Sequence, residues 1–267
     1  MKVTIATHNG SKVAREHNIR NEKVISKNEN IDPSGVFEVW HDEKVRDAYM
    51  RLFGDALQEY NSKQTREDRK IPNYYNHVCK DANKKPCYEM IIGIYGKDAH
   101  GQKVIPDSLG KVIMREFVDC WKERNPNLEM IGAYYHADEQ GGPHVHIDYI
   151  PVAHNYSRGL KTQNGLVKAL QEQGFEKQGK ETAQICWQRR ENAELENICK
   201  SYGLEVDHPR TGEKHLTMSV YKVQKELEKL EEKRNVLLES IIQLKEEEIR
   251  LKENILLLVK DKEKLEK

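Results

Sequence analysis

Apolar residues follow three spacings along this chain, and each predicts a different element. "KVTIATH" at 2–8 alternates apolar and polar positions, the period of a half-buried strand. Residues 41–64 place Val45, Ala48, Tyr49, Leu52, Phe53, Ala56 and Leu57 on one side of a helix. "PCYEMIIGIYG" at 86–96 is rich in Ile and Tyr and predicts a strand. Residues 107–124 carry Leu109, Val112, Ile113, Phe117 and Trp121 at helical spacing, with Asp107 and Ser108 as candidate caps. "LEMIGAYYHA" at 128–137 and "HVHIDYIPV" at 144–152 are strands joined by "DEQGGP", the turn residues of a hairpin. Residues 162–173 and 183–201 predict two more helices. Mixed strands and helices around an antiparallel central pair predict an α+β fold.

The third spacing belongs to the last 50 residues. Leu230, Leu237, Leu244, Leu251 and Leu258 recur every seven positions. Leu227, Arg234, Ile241, Glu248 and Ile255 occupy the position three before them. A leucine stripe of this kind predicts a C-terminal coiled-coil helix. Arg234 and Glu248 interrupt its seam and would fix register or orientation. The expected organisation is a body at 1–217 and a coiled-coil helix at 218–267, with a homodimer formed through 220–262.

Lys plus Arg and Asp plus Glu both number 44, so net charge does not advertise a nucleic-acid binder. A local basic face would suffice for one. Modest excesses of Lys and Arg occur in the first 30 residues and in 158–180, and ordinary solvated surface explains either one alone. Five cysteines, an odd number with no C-x-x-C pair, point to reduced thiols rather than a disulfide framework. "MKVTIATHNG" lacks the apolar core of a signal peptide, and "ILLLV" at 255–259 is too short to span a bilayer. A cytoplasmic protein without a membrane span is expected.

The candidate chemistry lies in "HADEQGGPHVHIDYIPV" at 136–152. Residues i and i+2 of a strand share a face, so His144 and His146 point the same way while Val145 points into the opposite layer. The hairpin brings His136, at the end of the preceding strand, beside that pair. Three imidazoles on one face make a divalent-metal site with positions left open. Asp138 and Glu139 lie at the turn, where one could orient a histidine or supply a further ligand. Three neutral imidazoles suit Mn, Co, Ni, Zn or loosely held Mg.

Upstream, "REHNIRNEKV" supplies His17, Asn18 and Arg20, and "NENIDPSG" follows at 28–35. "HNIR", then "NIDPS", then H-x-D-E…P-H-x-H, in that order over roughly residues 1–200, resembles the Mob/Pre group of plasmid mobilisation and recombination relaxases. These belong to the endonucleases named for a His-hydrophobic-His motif, here His144-Val145-His146. The resemblance implies a central antiparallel sheet flanked by helices, in an enzyme that nicks one DNA strand at a transfer origin and stays bound to the 5′ phosphate. It implies Mn²⁺ or Mg²⁺ held by His136, His144 and His146, with Glu139 as the acid of the same motif and His17 as the nucleophile. Arg20 could grip a phosphate through its fork. Asn18, Phe37 and Asn125 complete the candidate DNA contacts.

Two positions depart from the family pattern. A tyrosine common in its second motif is replaced by Phe37 in "GVFEVW", with Glu38 kept, so the ring can stack on a base but offers no phenol. The third motif has one extra residue between Glu139 and Pro143. Tyr74 and Tyr75 are rival nucleophiles, although they precede the metal motif. The competing readings are a rolling-circle replication initiator or transposase with a tyrosine nucleophile, and a coiled-coil DNA-binding protein without catalysis.

Overall fold

In the computed structural model the chain divides into two units, Met1–Pro209 and Arg210–Lys267. The residues described are 2–208 except 11, 27, 29, 97–104 and 140–141, together with 223, 226–227, 230–241, 243–245, 247 and 250–251.

The strands are β1 (Lys2–Asn9), β2 (Phe37–Asp42), β3 (Tyr88–Tyr95), β4 (Leu128–His136), β5 (His144–Ala153), β6 (Gln163–Asn164) and β7 (Glu205–Val206). The helices are α1 (Arg15–Asn18), α2 (Glu22–Ile25), α3 (Val45–Ser62), α4 (Tyr74–Cys79), α5 (Asp107–Asp119), α6 (Trp121–Arg124), α7 (Leu166–Glu172) and α8 (Ala183–Ser201). Among the described residues the strands form one sheet in the order β2-β4-β5-β3-β1-β7, with β6 paired to β5. All pairs are antiparallel except β1 with β7.

The two-residue strand period explains the layering. Met90, Ile92 and Ile94 of β3 and Val145, Ile147 and Tyr149 of β5 point to one face. There they meet Ile113, Met114 and Phe117 of α5, Trp121 of α6 and Trp187 of α8, all fully buried. Each such side chain contributes roughly 1.5–3 kcal/mol by leaving water. On the other face Ile131 and Ile150 pack under Tyr49 and Phe53 of α3 and Tyr74 and Val78 of α4. That second cluster covers only one end of the sheet, and His144, His146 and Asp148 occupy the same face beyond it.

Several boundaries differ from the sequence-based expectation. The helix expected from 41 begins at Val45, because His41 and Asp42 extend β2 against Ala133 and Gly132 of β4. The helix expected over 107–124 breaks at Cys120, and Pro106 rather than Asp107 or Ser108 holds its cap position. The helix expected from 162 starts at Leu166, because Gln163 and Asn164 pair with β5. β2 was not expected at all; it is a sheet edge, with Phe37 and Val39 exposed, and so lacks a buried apolar run. In the tail, residues 230–241 are helical, and Leu230, Leu237, Leu244 and Leu251 are exposed. Glu248, Ile255, Leu258 and the expected boundary at 217 lie outside the described residues. Among the described residues no helix is long and apolar enough to cross a membrane.

Candidate metal centre and nucleophile

The β4–β5 hairpin places His136 directly opposite His144, and His146 follows two residues on along the same face. The three rings lie 4.8–5.3 Å apart between centroids. The turn that follows His136 is fixed from outside. Asp32 donates its backbone N–H to Asp138 O at 2.7 Å, Ile31 bridges to Glu139, and Ala137 donates to Val36 O. Gly35 is required there, since a Cβ would stand 2.5 Å from the Asp138 Cα. "NIDPSG" is thus a brace for Asp138 and Glu139.

Each imidazole uses one nitrogen outward. His136 Nε2–H donates to the Asn18 carbonyl at 2.9 Å, His144 Nδ1–H to the Gly142 carbonyl at 3.0 Å, and His146 Nδ1–H to Glu89 Oε1 at 3.0 Å. The acceptors settle the tautomers, leaving His136 Nδ1, His144 Nε2 and His146 Nε2 as bare lone pairs. His136 Nδ1 and His146 Nε2 are buried and have no partner among the described residues. A nitrogen lone pair buried without a donor is costly unless a cation takes it. Glu139 lies 3.8 Å from His136 Nδ1 and 3.9 Å from His144 Nε2. Ligand-capable atoms of His136, Glu139 and His144 fall within 4.8 Å of one another, as do those of His17, His136 and His146. The residues therefore fit a divalent metal, with Glu139 joining the expected histidines.

His17 is the third residue of the four-residue helix α1, and its ring sits 5.6 Å from both His136 and His146. Its side chain is 23% exposed, whereas those of His136, His144 and His146 are 0, 9 and 7% exposed. It is the member of the cluster that can meet a substrate. His17 Nε2 lies 3.1 Å from Glu139 Oε1, and Arg20 Nη1 lies 3.2–3.4 Å from its two ring nitrogens. Arg20 adopts the left-handed conformation, φ 54°, which a non-glycine residue holds only under tertiary constraint. The constraint is visible: its fork donates to both oxygens of Asp138, at 2.7 and 2.6 Å, and to Glu139 at 2.7 Å. The expected phosphate grip is corrected here, because those donors are spent on carboxylates and the side chain is buried. Arg20 orients Glu139 and His17 instead.

Asn18 is also reassigned. It is fully buried, and its amide donates to Glu89 Oε1 at 2.9 Å, so it supports the ligands rather than facing DNA. Asn125 lies in the helical layer, fully buried, where its Oδ1 accepts from Trp187 Nε1 at 2.7 Å and from Arg190 at 2.9 Å. It offers DNA no surface. We expect Asn125→Ala to cost about 1–3 kcal/mol by orphaning the buried indole N–H, lowering Tm with metal affinity unchanged. An unaltered melting curve would contradict this. Phe37 is exposed at the sheet edge with its ring 6.3 Å from that of His136. Tyr74 is buried and accepts from the Asn164 N–H, while Arg46 covers the Tyr75 ring. Both belong to the α3–α4 packing.

Three residues of the site were not singled out in the sequence. Glu89 holds His146 from β3, about 57 positions upstream. Asp148 continues the face of His144 and His146 at the next alternate position, a signal the strand period did contain. Burial, and then the neighbouring Glu89, push its carboxyl up to about 8. Tyr95 folds its ring over Gly93, where a Cβ would stand 2.1 Å from the phenol oxygen, and Gly93 pairs with His144. The site therefore has a phenol beside it, delivered by β3 rather than by the position of Phe37.

Burial, and then the proximity of His146, drive His136 down to about 2 and His144 down to about 4 from 6.5. Burial works to raise the Glu139 carboxyl, but the hydrogen bond from His17, with His144 and Arg20 nearby, outweighs it and holds Glu139 well below the usual range. Both imidazoles stay neutral and ready for a cation at neutral pH. The linkage follows from the depressed values. Below pH 6.5 the unfolded chain takes up protons that the folded site refuses, so these groups stabilise fully above 6.5 and their contribution falls as pH drops to about 4 and then about 2. Metal-free protein in chelator should lose up to about 1.4 kcal/mol per pH unit for each imidazole in that window. Thermal melts between pH 7 and 4 check this, and a flat Tm would mean that the imidazoles are solvated in the folded state.

The Mob_Pre family profile, described as plasmid recombination enzyme, matches residues 7–223, and the chain belongs to that family. A comparison with curated proteins finds no match. Among solved structures the chain is similar to the MobM relaxase domain (MOBV; Mob_Pre) bound to plasmid pMV158 oriT DNA of 22 nucleotides, Mn-bound at pH 5.5. Identity is 16%, coverage 83% of this chain and 99% of that one, and the TM-score 0.45. The same domain with 22 nucleotides plus a 3′ thiophosphate, Mn-bound at pH 6.8, matches at 16% identity, 83% and 98% coverage and TM-score 0.45.

Proposed function

We propose that this protein is a metal-dependent relaxase that nicks one DNA strand at an origin of transfer, for mobilisation or plasmid recombination, through a covalent 5′-phosphate intermediate on His17. The observation that carries the reading is the set of three imidazoles with outward N–H groups engaged and inward lone pairs bare, around Glu139 and facing an exposed fourth imidazole. Membership of a plasmid recombination family supports it.

His136, His144 and His146, with Glu139, would hold the cation. Imidazole with a single carboxylate favours Mn²⁺ over Mg²⁺. When bound, the cation supplies Lewis-acid polarisation of the non-bridging phosphate oxygens. Glu139 accepts the Nε2–H of His17, which leaves Nδ1 as the lone pair that attacks phosphorus. The N–P bond forms as Glu139 takes the His17 Nε2 proton, the P–O3′ bond breaks, and the 3′ oxygen leaves as a hydroxyl with one proton drawn from solvent water. The phosphoramidate conserves bond energy for rejoining. Arg20 fixes Glu139 and, by donating to the His17 backbone carbonyl, holds the turn that carries the nucleophile. Phe37 provides a ring on which a flanking base stacks. Incubation with supercoiled plasmid carrying the element's origin, with and without Mn²⁺, tests the reading. Relaxed plasmid with protein-linked 5′ ends, only with the cation, is expected; metal-independent DNA binding without nicking would refute it.

A tyrosine nucleophile has one observation in its favour, the Tyr95 phenol beside His144. Its ring is held against Gly93, which suits a phosphate contact better than attack. The exposed leucines of the tail pair with a second copy in our reading. Light scattering should give a dimer for the full chain and a monomer for one ending near Thr217; a monomeric full chain would exclude the pairing. Five free thiols accord with a cytoplasmic protein.

A further inference from the structure

Where β1 ends and β3 begins, a cavity of 520 Å³ opens beside the metal site. Its volume is that of a small-ligand pocket. Glu89, which holds His146, is part of its wall, and so is Asn9 at the end of β1. The lining has two chemical features. The first is cationic: Lys84 and Lys168 are half-buried there, and among the described residues neither has a carboxylate partner. Lys84 Nζ reaches Gln163 Oε1 at 3.3 Å, and Lys168 Nζ stands 3.9 Å over the Tyr156 ring. The second is aromatic, the Tyr156 ring itself.

A ligand that satisfies this lining brings an anion for the lysines and a flat face for Tyr156. A nucleotide has both, a phosphate and a base plane.

We infer that this cavity holds one nucleotide of the single strand that passes through the metal site, its phosphate on Lys84 and Lys168 and its base against Tyr156. The inference rests on the relaxase reading, since the shared Glu89 wall is what makes the nucleotide part of a strand rather than a free monomer. The cavity lies beyond His146, on the side of the centre away from Phe37 and β2. The strand would therefore be gripped on both sides of the scissile phosphate.

The test is fluorescence anisotropy of the full-length protein with a labelled mixed-sequence single strand of about 20 nucleotides, in chelator, over a range of salt. Each phosphate contact adds about 0.7 to the slope of log K against log salt for single strands. The Lys84→Ala/Lys168→Ala double variant should lower that slope by about 0.7, the value of one phosphate, and weaken binding at least about tenfold at low salt. Lys168→Arg should keep the wild-type slope, and Lys200→Ala, at the distant end of α8, should change nothing. Matching thermal melts exclude a folding defect. Wild-type binding with an unchanged slope in the double variant overturns the inference and leaves the relaxase reading standing. Wild-type protein that neither binds the strand nor nicks plasmid overturns both.

Discussion

His17→Ala should abolish the covalent protein–DNA adduct and lower nicking by about 10⁴-fold or more, the scale on which enzymes lose rate with their nucleophile. Metal affinity and binding of single-stranded oligonucleotide should remain close to wild type. The expectation rests on exposure and partners. His17 is the accessible imidazole of the cluster, its Nε2 faces Glu139, and the buried imidazoles close the site without it. The geometry also contains the competing outcome, because His17 shares a ligand-distance triplet with His136 and His146. If His17 were a ligand, its removal would weaken metal binding as much as loss of His146. Calorimetric titration of Mn²⁺ into the His17→Ala protein separates the two.

The second large effect belongs to the buried ligands. His146→Ala removes a lone pair that has no other partner and leaves Glu89 without its imidazole donor. His144→Ala removes the Nε2 that stands 3.9 Å from Glu139 Oε2. Either change should abolish measurable Mn²⁺ binding and nicking together, since each ligand is one of about four. Folding should survive, because the apolar side chains flanking His144 and His146, Val145 and Ile147, pack on the opposite face of β5. Glu89→Gln should be milder, about 10–100-fold in metal affinity, as expected for a group that orients a ligand. Metal-dependent cleavage at wild-type rate in both alanine variants would show that the cation is held elsewhere.

The site was legible in the sequence to the extent that it depends on local period. A two-residue repeat puts His144 and His146 on one face, and a hairpin turn brings His136 opposite, where the structure has it. The same rule extended one step would have found Asp148. Glu89 and Tyr95 were not legible, because their approach depends on the register between β3 and β5, which pairs Ile91 with His146 and Gly93 with His144. Arg20 was read as a phosphate grip from its residue type alone. Its burial against Asp138 and Glu139 follows from how the chain after α1 folds onto the hairpin turn, a contact 118 residues apart. Asn125 shows the same limit in reverse, since a polar residue near a turn is buried here by an indole that arrives from α8. β2 escaped notice because an edge strand carries no apolar alternation strong enough to announce it.

The central claim is that a histidine, not a tyrosine, carries the DNA. Its most direct test is to trap the adduct on a single-stranded substrate spanning the origin, digest the protein, and map the nucleotide-bearing peptide before and after mild acid. The account predicts an acid-labile phosphoramidate on the peptide containing His17. An acid-stable adduct on the peptide containing Tyr95, Tyr74 or Tyr75 would contradict it.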